Sequence, residues 1–307
     1  MTDEPLIGLD LGGSKIAGAI VANGKILEKR IVPTPQTGAA SVITAMLELG
    51  RELMKFAPNI KAIGVGSPGS VDASGGVVRI ALNIPGFENI PLGQVLSAGF
   101  AKPVALENDA KAAALAEHLY GAARFADSSV FLTISTGIGG AIIQNNRIWR
   151  GFHGIAGEIG HIKIPHGGIL AGSSLVGALE QVASGTAIAN QASLVLGHSL
   201  SAKEVFGLAR AGNSSMLKII NQAASCIGQV LCDLQLIVDP EVFVLGGGVS
   251  EAGSFFLDRI QTAANEHALE FAPVSIRQGE LGTDAGVIGA ACVAVQHIAD
   301  SQRLELA

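Results

Sequence analysis

Three glycine-rich stretches each follow an apolar run: "DLGGSK" at residues 10–15, "STGIGG" at 135–140 and "LGGGVS" at 245–250. Glycine lets backbone N–H groups approach phosphate oxygens with no Cβ in between, and Ser14, Lys15 and Thr136 add donors at the same turns. In a chain with 40 glycines one such pair reads as a tight turn, whereas three, each after a strand, read together as phosphate loops. They match neither G-x-x-x-x-G-K-[ST] nor G-x-G-x-x-G, because the first two lead into strands rather than open helices. Asp10 ends the first apolar run, where a carboxylate can hold a phosphate-bound Mg2+ through water or bond its own turn amides.

A second chemistry lies in "LENDAKAAALAE" at 106–117. Asn108 and Asp109 stand between the apolar "PVAL" and an alanine-rich helix. Helix capping needs only one of them, and open α/β sheets carry ligand groups at the carboxyl ends of their strands. A carboxylate there can take the proton of a substrate hydroxyl. "GFHGIAGEIGHIKI" at 151–164 offers Glu158 and His161, and Glu180 begins the helical "LEQVASGTAIAN". Acidic side chains among small residues suit bidentate hydrogen bonding to neighbouring sugar hydroxyls, while a lone histidine is more often structural.

The elements that would position these residues alternate. "LIGLDLG", "KIAGAIV" and "KILEKRIV" read as a meander of three strands, followed by the helical "GAASVITAMLELGRELMKF". "KAIGVGSPGSV" and "PVALEND" read as buried strands, each leading into a loop or helix, so parallel pairing is expected. "AKAAALAEHLYGAA" is a helix by alanine propensity. At residue 129 the pattern restarts with "SVFLTISTGIGGAIIQNNRIWRG", an echo of residues 5–31 that points to internal duplication. A long amphipathic helix, "SMLKIINQAASCIGQVLCDLQLIV", feeds the strand "EVFVLGGGVS", and the small-residue helix "DAGVIGAACVAVQHIAD" comes near the end. Two α/β lobes are expected, 1–110 joined by a C-terminal helix at about 288–307, and 111–287.

Composition narrows the partners. Charged residues are 15% of the chain against a usual ~25%, so much of the surface is small and neutral or covered, and a homodimer or homotetramer is expected. With net charge −6 and no Lys/Arg cluster, the footing for nucleic-acid binding is missing. Cys226, Cys232 and Cys292 form no C-x-x-C pair and support neither a disulfide framework nor a zinc ribbon. The acidic start resembles no export signal, and the longest apolar run, "GVIGAACVAV", falls short of the ~20 residues of a membrane span. A cytoplasmic protein is expected.

Taken in order, "GLDLGGSKIAGAIV", "GVGSPGSVD", "NIPGF", "LENDAKAAALAE", "TISTGIGGAII", "GEIGHIKI", "LEQVASG", "VLGGGVS" and "GTDAGVIGAA" resemble the ROK family of sugar kinases and repressors, over about residues 6–296. The likeness is greatest to that family's bacterial glucokinases. It implies an actin-like, hexokinase-like (RNase H-like) two-domain α/β ATPase fold with the active site in a cleft between the lobes, and the use of ATP and Mg2+. Asp10, Gly12, Gly13, Ser14 and Lys15 match the first phosphate loop, with Ser14 where threonine is commoner; Thr136 and Gly137 match the second, and Gly246 and Gly247 the adenosine contacts. Asp109 matches the base that activates the sugar 6-hydroxyl, and Asn83, Asn108, Glu158, His161 and Glu180 match sugar contacts. Glucose is the first expected substrate and N-acetylmannosamine the second, since zinc-free members occur among kinases of the latter. A family repressor would carry a winged helix-turn-helix ahead of the first loop, which here lies at residue 10. The intact Asp10, Asp109 and phosphate loops argue against an inactive sugar-binding relative.

Many members of that family follow "GEIGH" with a zinc motif C-x-C-G-x-x-G-C. Counted from His161 to Glu180 without a gap, the cysteine positions hold Ala171, Ser173 and Ala178, whose neutral side chains cannot replace zinc-binding thiolates. The purified protein should therefore contain no stoichiometric zinc by elemental analysis. Sugar kinase activity should survive strong chelation once Mg2+ is resupplied, and one tightly bound zinc per chain would contradict the alignment.

Overall fold

The computed structural model describes residues 4–164, 177–249 and 252–305. The chain divides into two compact units, one of residues 1–121, 146–154 and 283–307, the other of 122–145 and 155–282. Three of its four passages between units fall at residues with positive φ: Asn145 and Asn146, Gly154, and Gly282. Asparagine and glycine accept that backbone region most readily.

In the first unit β1 (Leu6–Leu11), β2 (Lys15–Ala22) and β3 (Lys25–Pro33) form the expected meander, followed by α1 (Ala39–Met54) and β4 (Ile63–Ser67). A small antiparallel sheet of β5 (Ser70–Asp72), β6 (Val77–Ile80) and β7 (Glu88–Ile90) comes next. Then come α2 (Leu92–Phe100), β8 (Val104–Asn108) and α3 (Asp109–Tyr120). The main sheet has the order β3-β2-β1-β4-β8, with β1, β4 and β8 parallel. Every residue of β4 is buried, as in a parallel strand covered on both faces. Helix α1 turns Val42, Met46, Leu49 and Leu53 inward at helical spacing, into a core with Ile7, Leu9, Leu11 and Ile63.

The second unit repeats the scheme. β9 (Ser128–Ile134) and β10 (Ile138–Gln144) form a hairpin around a glycine turn, and the short β11 (Arg147–Ile148) follows in residues of the first unit. After α4 (Glu180–Ala183), α5 (Gly185–Leu196), α6 (Ala202–Arg210) and α7 (Ser214–Val238), strand β12 (Val242–Gly246) pairs parallel with β9. Helix α8 (Ser254–His267) and β13 (Ile276–Gln278) complete this unit, and α9 (Ala285–Glu305) returns to the first. Each five-stranded sheet thus opens with a glycine-turned hairpin whose first strand takes a later strand in parallel.

Three sequence readings change. "LEQVASGTAIAN" is two helices, because Ser184 leaves the helical region (φ −71°, ψ 162°) and its side chain caps α5 by accepting from the N–H of Ala187. "KAIGVGSPGSV" is β4 and β5, in different sheets, divided at Pro68 and Gly69. The units divide at Gly121 rather than at Ala110, since α3 packs along α9 in the first unit.

The small residues of α9 admit that packing. A methyl group on Gly64 would overlap the carbonyl of Ala290, one on Gly8 that of Val287, and one on Gly289 of α9 the carbonyl of Ala112 in α3. Gly64→Val should therefore cost at least ~3 kcal/mol in denaturant unfolding, the upper end of ordinary overpacking, because backbone is the obstacle. Gly207→Ala, in α6 with nothing within 4 Å of the added carbon, should be neutral or stabilising by up to ~1 kcal/mol. Equal effects would refute the close-approach explanation.

Candidate functional site

In the first unit the sheet register sets the site. Asp10 pairs with Gly66 and Gly66 with Glu107, while Ser67 pairs with Asn108, so the carboxyl ends of β1, β4 and β8 lie side by side. A Cβ on Gly66 would lie 3.5 Å from Asp10 Oδ1 and 3.6 Å from the Cα of Asp109, so both aspartates border the space that this glycine leaves open. Burial pushes the Asp10 carboxyl up to about 6, against the weaker opposing pull of Lys15 and Lys29. Gly286, near the start of α9, meets Asp10 so closely that a methyl there would overlap its carboxylate.

The choice between Asn108 and Asp109 as helix cap is resolved. Asn108 caps α3: its Oδ1 accepts from the N–H of Lys111 at 3.1 Å, and its Nδ2 donates to the carbonyl of Gly69 at 3.1 Å. Asp109 is the first residue of α3, with Oδ1 accepting from the N–H of Ala110 at 2.8 Å.

The first glycine turn is held by its carbonyls. Thr34 Oγ1 donates to Gly12 O at 2.6 Å, Gln36 Nε2 to Gly13 O at 2.9 Å and the N–H of Thr34 to Ser14 O at 3.0 Å. Asn83 lies over the turn, its backbone carbonyl oxygen 3.0 Å and its side-chain Nδ2 3.1 Å from where a Cβ on Gly13 would stand. Lys15 is exposed at the start of β2. The roles of Thr34 and Gln36 were missed from sequence, where "PTPQTG" only joins a strand to a helix.

In the second unit Glu158, His161, Glu180 and Gly137 gather at the start of β10. Glu180 Oε2 accepts from the N–H of Ile138 at 2.8 Å, and a Cβ on Gly137 would overlap that carboxylate. Glu158 Oε2 lies 3.5 Å from His161 Nδ1, both side chains being substantially exposed. Between them Gly160 approaches the carbonyl of Ile138 too closely for any side chain. After His161, Ile164 N–H donates to Gly177 O and Leu179 N–H to Ile162 O, each at 2.9 Å, which draws Glu180 back toward that group. Ala178, on this ladder, is fully buried, whereas Ala171 and Ser173 lie outside the described residues. Among the described residues no cluster of three or more His, Cys, Asp or Glu could hold a metal ion.

The second turn is seated on α5: Gly185 N–H donates to Ser135 O at 2.8 Å. Gly247, with φ 86°, stands against the backbone of Ile134, where a side chain would clash. A cavity of about 500 Å3 opens beside Thr136, lined also by Gly185, Lys203, Phe206, Arg210 and Gly248. Gly248, rather than Gly246 or Gly247, lines this cavity. Lys203, Phe206 and Arg210 all lie on α6 and had no sequence signal, since nothing local marks that helix as facing a cavity.

Among the described residues no helix is long and apolar enough to cross a membrane. Residues 6–297 match the family model described as "ROK family". The chain is 39% identical to the "Bifunctional enzyme NanE/NanK" of Brucella melitensis over 96% of its own length but only 54% of that protein's, so it spans about half of the curated relative. The solved ROK hexokinase of Thermus thermophilus superposes with a TM-score of 0.90 at 38% identity, covering 96% of this chain and 99% of that one. A ROK family glucokinase from Streptomyces griseus, solved in complex with glucose and AMPPNP, gives 0.80 at 33% identity, covering 95% and 99%. From the family match and these likenesses it follows that the chain belongs to the ROK family and carries its actin-like, hexokinase-like ATPase fold.

Proposed function

We propose that this protein is an ATP-dependent sugar kinase that phosphorylates the 6-hydroxyl of a hexose, with glucose as its substrate. The observation that carries the reading is the placement of Asp109 at the head of α3, beside Asp10 across the open position at Gly66. In this reading Asp109 takes the proton of the 6-hydroxyl as that oxygen bonds to the γ-phosphorus and the bond to the ADP oxygen breaks. Asn83, Asn108, Glu158, His161 and Glu180 orient the sugar, and the turns at Gly12–Lys15 and Thr136–Gly137 orient phosphates. Such transfer depends on positioning and charge neutralisation more than on covalent chemistry.

The cavity beside Thr136, at about 500 Å3, falls within the ~300–1,000 Å3 of ordinary ligand sites, and it combines the apolar Phe206 with the cations Lys203 and Arg210. It suits a nucleotide. The buried carboxyl of Asp10, with its raised affinity for a proton, suits a divalent cation, and Mg2+ bound there would neutralise charge on the phosphate oxygens. The glucose-bound relative favours glucose, while the likeness to relatives named N-acetylmannosamine kinase, 34% identical over 93% of this chain, keeps N-acetylmannosamine as the second reading. The exposed Leu194, Val195, Leu236 and Ile237 of the second unit support self-association as a dimer or tetramer. Three free cysteines fit a cytoplasmic protein.

The raised Asp10 sets a pH dependence. Between its ordinary 3.8 and about 6, the folded chain holds a proton that the unfolded chain has released. Its contribution to stability is thus fully present below the unfolded value and lost as pH rises through about 6, a span on the order of 3 kcal/mol. In Mg2+-free buffer, Asp10→Asn should gain in unfolding free energy relative to the parent as pH is raised from about 4 to about 7. A difference that stays flat across that range would count against the buried, proton-holding carboxyl.

Asp109→Asn, which keeps size but removes the base, should lower turnover by at least ~100-fold while leaving sugar binding by calorimetry largely intact. Coupled ADP-release assays across glucose, mannose, N-acetylmannosamine, N-acetylglucosamine and fructose should give glucose the highest kcat/KM. Near-normal turnover in the variant would sink the base assignment, and a preference for N-acetylmannosamine would replace the proposed substrate.

A further inference from the structure

Two charged residues flank Asp109 at a distance of two positions, and each is only 2% exposed: Glu107 at the end of β8 and Lys111 in the first turn of α3. Glu107 Oε1 accepts from the N–H of Asn108 at 3.0 Å, and its Oε2 accepts from Arg150 Nε at 2.7 Å. Lys111 Nζ donates to the carbonyl of Gly154. Arg150 and Gly154 are the two ends of the segment "RGFHG", which belongs to the first unit although the chain on either side of residues 146–154 belongs to the second. The bonds form a closed circuit. It runs from Arg150 through Glu107 to the Asn108 amide, from the Asn108 side chain to Lys111, and from Lys111 to Gly154.

We propose that segment 150–154 is a strap that sets the angle of the Asn108–Asp109 turn through these buried charges, making Glu107, Lys111 and Arg150 positioning residues for proton transfer. The proposal rests on the reading of Asp109 as the base. A purely structural role accounts for the arrangement less well. The Asn108 cap by itself starts the helix, and buried ion pairs contribute little that packed apolar residues would not. What charged, directional bonds add is orientation. Here the carboxylate fixes the amide immediately before the base, and the ammonium fixes the turn immediately after it. Arg150 also borders a cavity of about 400 Å3 with Asp72, Arg79, Phe152 and His153, and its side chain is 38% exposed, so the strap is tied down at a place that water reaches.

The test uses the full chain. Arg150→Met should lower kcat about 10- to 100-fold, the scale of a roughly 1 Å misplacement of a catalytic group. It should raise the sugar KM through Asn108 and leave the ATP KM within about twofold, whereas Arg150→Lys should recover most of kcat by keeping a cation for Glu107. Glu107→Gln combined with Arg150→Met leaves no unpaired buried charge at that pair, and should show the same loss with little change in the thermal midpoint. In an Asp109→Asn background Arg150→Met should cost no further turnover, because there is no base left to position. Wild-type kcat in the double variant, or an equal fold-loss from Arg150→Met with and without Asp109, would overturn the strap. A loss in Asp109→Asn with none in Arg150→Met overturns the strap alone, whereas near-normal turnover of Asp109→Asn overturns the base reading and the strap with it.

Discussion

The first unit depends on how closely α9 approaches the main sheet. Gly8 and Gly64 on adjacent parallel strands present bare backbone to the carbonyls of Val287 and Ala290, and Gly289 does the same toward Ala112 of α3. Nothing larger than hydrogen fits at any of the three. This contact seats α3 and brings Gly286 against Asp10, so the two aspartates at the strand ends are placed by packing. Asp10 consequently loses water, and its raised pKa follows from the seating of the helix.

Charge is handled differently in the two units. In the first, Glu107 and Lys111 are withdrawn from solvent, each with a specific partner, and Asp10 is partly so. Burying an ion without such a partner is costly, so those partners constrain the neighbouring backbone strongly. In the second unit Glu158 and His161 remain substantially exposed, and what restricts them is Gly160 packed on the Ile138 carbonyl. Rigid backbone carries side chains that remain open to solvent.

Among the described residues, the two ends of the stretch between His161 and Glu180 are joined by backbone pairing. They pair through Ile162, Ile164, Gly177 and Leu179, and Ala178 is buried where the family motif would place a cysteine. Glu180 is then fixed by the amide of Ile138. Apolar burial and a short backbone ladder hold these ends together.

Much of the molecule was legible from local pattern. The glycine turns after apolar runs, the meander at the start, α1, α3 and the long α7, and the polar pair at Asn108–Asp109 are all written in nearest-neighbour spacing, because strand and helix periods and turn chemistry act over a few residues. The family was legible for the same reason, since its motifs keep their order along the chain. Long-range matters were not legible. The contact of Glu180 with Ile138 spans 42 residues, that of Glu107 with Arg150 spans 43, and the cavity wall formed by α6 has no motif. The break at Ser184 and the division at Gly121 also escaped, one because a serine cap interrupts a helical pattern and the other because α3 is claimed by a helix far along the chain. Composition and spacing decide which elements form and which residues can do chemistry. Which glycine must stay bare, which carboxylate loses its water and which arginine bonds the glutamate at the end of β8 are set by close packing of distant segments, an interaction that exists only once the chain has folded.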